Sequence, residues 1–146
     1  MAQFKNLLVA IDFSAPSISA LDTALELAVR LGARLTIVHT VLKVAEGVPL
    51  QGGPGYDVDL YERQVREART RIEQILRDKN TAGVDADIVI ESGRPQDQIN
   101  YIAEKHAADM LILGTHGRKG MNKLVLGSVA EAVLRESHLP VLCIRG

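Results

Sequence analysis

Gly114 and Gly117 have two residues between them, and after nine further residues come Gly127 and Ser128. The first glycine closes an apolar run and Ser128 opens a stretch of helical period, so the cluster falls between a strand and a helix. Glycine has no β-carbon, which lets backbone N–H groups close on an anion, and a helix beginning at Ser128 would present unpaired amides and a partial positive charge to it. The chemistry these residues suit is phosphate binding. His116 inside the loop and Arg118 just after it could pair a cation with a phosphate, and Lys119 and Lys123 could add charge; the plainer alternative for all four is a solvated loop. Neither Gly-x-x-x-x-Gly-Lys-Ser/Thr nor Gly-x-Gly-x-x-Gly is the spacing here, which disfavours a P-loop motor and a nicotinamide enzyme. Asp12 follows the first apolar run, where it is either a pocket carboxylate or an Asx turn or cap at the head of a helix, a cap that Ser14 could supply instead. Ser128 has its own plain alternative as the N-cap of the last helix. His39, His106 and His138 are scattered without metal-ligand spacing, so no metal site is expected.

The elements that must position these residues alternate along the chain. Apolar runs of strand length are read at 6–11, 34–41, 85–90, 110–113 and 141–144, each rich in Val, Ile or Leu. Between them lie stretches of helical period. Ile18, Leu21, Leu25 and Ala28 mark the first, with Gly32 placed to end it. Leu60, Val65, Ala68, Ile72, Ile75 and Leu76 mark the second, Ile99, Ile102 and Ala103 the third, and Val129, Val133 and Leu134 the fourth. The expected fold class is α/β, a parallel sheet with helices on both faces. Residues 42–57, with Gly52-Gly-Pro-Gly55, carry no period and are either a segment lying over a ligand or a plain connection.

Composition narrows the function. At 146 residues the chain fits one domain, expected over 1–146. Seventeen Lys plus Arg against eighteen Asp plus Glu leave a net charge of −1, which favours neither nucleic acid nor an anionic membrane. The longest apolar runs fall far short of a bilayer span, and no signal segment opens the chain, so a cytoplasmic location is expected. The single cysteine, Cys143, cannot form an intramolecular disulfide and reads as a buried thiol.

Taken with Asp12-Phe-Ser14 and Pro140-Val-Leu-Cys-Ile-Arg145, the pattern Gly114-x-x-Gly117, nine residues, Gly127-Ser128 resembles the ATP-binding branch of the universal stress protein family across essentially the whole chain. The resemblance implies an open five-stranded parallel sheet of order 3-2-1-4-5, Rossmann-like and of the adenine nucleotide alpha hydrolase type. A ligand would then lie beyond the carboxyl ends of strands one and four, where winding reverses and the loops carry Asp12 and Gly114. It further implies that Asp12 approaches the adenine, Thr40 contacts the base and Leu113 packs beside the nucleoside. The phosphates would meet Gly114, His116, Gly117 and Arg118 and the helix start at Gly127, Ser128, Val129 and Ala130. Thr40 stands where the family often has Val, and Val129 and Ala130 stand where some relatives carry a second hydroxyl.

The cofactor so implied is ATP, with ADP or AMP as alternatives and Mg2+ accompanying the phosphates as a further option. The sequence shows no set of residues that would orient water and hold a metal for rapid hydrolysis, so no catalytic residue is assigned. The function expected is that of a nucleotide-responsive regulatory or stress-tolerance module with at most slow turnover. A genuine ATPase or nucleotide-transferring enzyme in the same pocket is the first alternative, and a dimeric scaffold with a vestigial pocket the second. The resemblance also implies a homodimer paired through strand 141–144, an edge strand in this topology, with a further protein partner left open.

Overall fold

The computed structural model describes residues 3–42, 58–79, 81–115 and 126–146. Five strands and four helices alternate: β1 (Asn6–Ala10), α1 (Ala15–Leu31), β2 (Arg34–Val41), α2 (Val58–Asp78), β3 (Ala86–Ser92), α3 (Pro95–Lys105), β4 (Met110–Thr115), α4 (Ser128–Glu136) and β5 (Val141–Arg145). All neighbouring strands are parallel and the order is β3-β2-β1-β4-β5. A parallel sheet is covered on both faces, which is why its strands read as near-continuous apolar runs. Successive residues of β1 show this: Leu7 and Val9 join Leu21, Leu25 and Ile72 of α1 and α2 on one face, while Leu8 joins Ile99, Ile102 and Val133 of α3 and α4 on the other.

The strand limits expected from sequence hold for β2 and shift elsewhere because pairing, not composition, decides the ends. β3 continues to Ser92 opposite Val41, and β4 and β5 extend together to the pair Thr115 and Arg145. β1 stops one residue early, although Ile11 N–H still donates to Val38 O at 2.8 Å.

The helix ends follow from local chemistry. Ser14 is the N-cap of α1, its Oγ accepting from Ser17 N–H at 3.4 Å, and Pro16 sits in the first turn, where it has no intrahelical bond to lose. Gly32, at φ +58°, ends α1 in the left-handed conformation. For α4 the expectation needs correcting: Gly127 occupies the N-cap, without a side chain to bond, and Ser128 is the first helical residue. Leu134, one of the residues whose period marks α4, lies at the surface. It is 39% exposed, because α4 buries the face of Ala130 and Val133, one helical turn apart. Cys143 is half-buried on β5, and that burial raises its thiol pKa above the ordinary value. Of the segment expected to run over 42–57, residues 43–57 lie outside the described residues. No helix among the described residues is long and apolar enough to cross a membrane.

Candidate functional site

β1 and β4 are adjacent, yet the chain leaves β1 for α1 on one face and β4 for α4 on the other. The gap beyond their carboxyl ends holds a cavity of about 110 Å³. Its walls include Ala10, Ile11 and Asp12 from the end of β1, Val38, His39 and Thr40 from β2, Leu113 and Gly114 from β4, and Gly127, Val129 and Ala130 from the start of α4. Seven of the expected residues therefore meet in one place: Asp12, Thr40, Leu113, Gly114, Gly127, Val129 and Ala130. Ser128 sits at the same helix end but does not line the cavity, and it is exposed. His116, Gly117 and Arg118 lie outside the described residues, as do Lys119 and Lys123.

The turn from β1 into α1 is knitted by side-chain to backbone bonds. Asp12 Oδ1 accepts from Ser14 N–H at 2.9 Å, and Asp12 N–H donates to Ser17 Oγ at 3.2 Å. Ser17 Oγ–H in turn donates to Ser14 O at 3.0 Å. The two alternatives weighed for Asp12 thus coexist: it forms an Asx turn and lines the cavity, while Ser14 supplies the cap. Phe13, between them, holds φ +65°, a conformation that costs a non-glycine residue about 1 to 3 kcal/mol and persists only where the surroundings enforce it. Its ring is flanked by the His39 ring, with centroids 4.7 Å apart, and by the Arg71 guanidinium 4.2 Å from its centroid.

Gly114 is explained by packing. A β-carbon there would fall 2.4 to 2.6 Å from the carbonyl carbon and oxygen of Pro16 and the nitrogen of Ser17, so β4 and the start of α1 meet backbone to backbone. At α4, the first intrahelical bond runs from Glu131 N–H to Gly127 O at 2.9 Å. The amides of Ser128, Val129 and Ala130 precede it, and the N-cap, Gly127, has no side chain to bond them. The cavity accordingly joins an apolar slot to an electropositive helix end, a combination suited to a ring system carrying an anionic group. Asp12 is the only carboxylate lining it among the described residues.

His39 is one of the lining residues that sequence reasoning passed over, with Ser17, Val38, Pro95 and Ile99 among the others. The His39 Nδ1 lies 2.8 Å from Ile11 O, and the residue is part of the cavity wall. A lone histidine in a strand carries no local spacing signal; its one sequence clue is adjacency to Thr40.

A doubly wound parallel sheet with a crevice at its switch point defines a ligand-binding class of open α/β proteins. Within that class the chain belongs to the universal stress protein family, which it matches over residues 3–145. It is 30% identical over 147 residues to universal stress protein YxiE of Bacillus subtilis, covering 97% of this chain and 99% of that one. Among solved structures, a universal stress protein family member from Burkholderia pseudomallei is 28% identical with a TM-score of 0.73, over 99% of this chain and 98% of that one. The Archaeoglobus fulgidus universal stress protein in complex with dAMP is similar in fold, with a TM-score of 0.65 at 24% identity, over 98% and 99% of the two chains.

Proposed function

We propose that this chain, a single universal stress protein domain over residues 1–146, binds an adenine nucleotide in the β1–β4 crevice, with ATP as the leading ligand. Occupancy of the crevice changes the loop or dimer surface, and that change is its output, so it acts in the cytoplasm as a nucleotide-responsive regulatory or stress-tolerance module. The observation that carries this reading is the convergence of an apolar slot, bounded by Val38, Leu113 and Ala130, on the amino end of α4, whose N-cap is Gly127. The slot suits a purine, and the amides of Ser128, Val129 and Ala130 suit its phosphates. That the same fold holds dAMP in the Archaeoglobus fulgidus protein supports a nucleotide as the ligand class. His116, Gly117 and Arg118 belong to the phosphate end in this reading, on the strength of the glycine spacing.

Slow hydrolysis at most fits the side chains present. Asp12 already accepts from Ser14 N–H, and among the described residues no three His, Cys, Asp or Glu side chains come together as metal ligands. In this reading any Mg2+ accompanies the phosphates. A genuine ATPase or nucleotide-transferring enzyme would need a group to orient its nucleophile that the described lining does not supply. A scaffold with a vestigial pocket would have no use for the convergence described above.

Ser128→Glu tests the phosphate end. Ser128 is exposed and at the first position of α4, where an acidic side chain favours the helix by about 0.3 to 1 kcal/mol. The same charge repels a phosphate. In calorimetric titration the variant should keep its thermal stability and its affinity for adenosine, while its affinity for ATP falls at least about tenfold, equivalent to roughly 1.4 kcal/mol. Equal ATP affinity in variant and parent would place the phosphates elsewhere.

A further inference from the structure

The hydrogen bond between His39 and Ile11 breaks the sheet ladder at the edge of the crevice. Ile11 N–H donates to Val38 O at 2.8 Å, so the backbone groups of Val38, and by alternation those of Thr40, face β1. The next rung would join Thr40 N–H to the Ile11 carbonyl. Among the described residues no such backbone bond forms; the carbonyl accepts from His39 Nδ1 at 2.8 Å instead. A carbonyl can only accept, so Nδ1 carries the proton, and in the neutral ring Nε2 is left as an acceptor.

The same ring touches the other neighbour of Asp12. Phe13 is held at φ +65° with its ring centroid 4.7 Å from that of His39, and Arg71 covers Phe13 from α2. One side chain therefore grips the carbonyl before Asp12 and the ring after it. A strained turn needs such over-determination to stay in one conformation.

We propose that His39 is the positioning residue of the crevice: its Nδ1–H and its ring fix the Ile11–Asp12–Phe13 turn and keep the Thr40 amide off the ladder, so that the base end of the pocket is formed before a ligand arrives. This deepens the nucleotide reading and rests on it. The physical consequence is a population effect. When the turn samples other conformations, apparent affinity falls by the fraction of molecules that remain competent.

The test uses the whole chain and two substitutions. His39→Phe keeps a ring against Phe13 and removes the donor, whereas His39→Asn keeps a donor near the Nδ1 position and removes the ring. Titration with ATP and with adenosine should show His39→Phe losing about tenfold in affinity for both ligands alike, because the base end is disturbed, with His39→Asn recovering most of the loss. Nitrogen-15 spectra of the unaltered protein should report His39 as the Nδ1–H tautomer, a readout that does not depend on any variant folding. The Nε2–H tautomer, or an affinity unchanged in His39→Phe, overturns the positioning role while leaving the nucleotide reading intact. Wild-type protein that binds neither ATP nor adenosine overturns the nucleotide reading and the positioning role with it.

Discussion

Gly114 bears a tight steric constraint at the crevice, and its cause differs from the one its neighbours suggest. The Gly114-x-x-Gly117 spacing points to an anion; the structure shows a glycine required where β4 meets the backbone of Pro16 and Ser17 at the head of α1. Both can hold, since the residue also lines the cavity. Even the smallest side chain should be costly there: Gly114→Ala is expected to lower unfolding stability in urea by about 1 to 3 kcal/mol, the range for overpacking a tight site, and an unchanged midpoint would contradict the contact. Loss of ligand binding in a Gly114 variant would consequently report on the fold, which is why the exposed Ser128 is the better probe of the phosphate end. The requirement at Gly114 was not legible locally, because Pro16 and Gly114 lie 98 positions apart and only the topology brings them together. His39 was missed for a related reason: its partners, Ile11 and Phe13, are remote in sequence and belong to a neighbouring strand and its turn.

Hydrophobic periodicity identified every strand and helix among the described residues, because each element packs at least one face against the core and the apolar pattern records it. Its weakness was at the margins of each face. Val133 and Leu134 look alike in sequence, yet they point about 100° apart on α4, and only Val133 reaches the sheet. α2 is the most amphipathic case: of its 21 residues, Ala68 and Ile72 are the fully covered ones, with Ile75 and Leu76 packed at the edge of the core. A helix held by so narrow a stripe depends on its central side chain. Ile72→Ala should destabilise the protein by about 2 to 5 kcal/mol, readable as a lower denaturant midpoint with the fold retained in mild conditions. A cost below about 0.5 kcal/mol would mean that α2 contributes little to the core it covers.

The reversal of winding between β1 and β4 is what turns dispersed residues into a site: positions 12, 40, 113 and 127 share one cavity although they span most of the chain. The order 3-2-1-4-5 came from family resemblance rather than from periodicity, which fixes elements but not their neighbours in space. The same order leaves β5 at one edge of the sheet. Leu111 N–H donates to Pro140 O, so by alternation the amides of Val141 and Cys143 face outward, away from β4. We propose that this edge pairs with the same strand of a second copy to form a two-fold dimer. Cys143→Pro removes one outward donor while sparing the β4 ladder, and in sedimentation it should shift the protein from dimer to monomer with its fold kept. A dimer as stable as the parent's would place the interface elsewhere. Nucleotide binding is nevertheless the central claim, and it is tested most directly by denaturing protein purified without added ligand, identifying any nucleotide released, and titrating the stripped, folded protein with ATP, ADP and AMP. The account predicts saturable, adenine-selective binding with one nucleotide per chain; folded protein that releases none and binds none would contradict it and leave the crevice a structural feature of a scaffold.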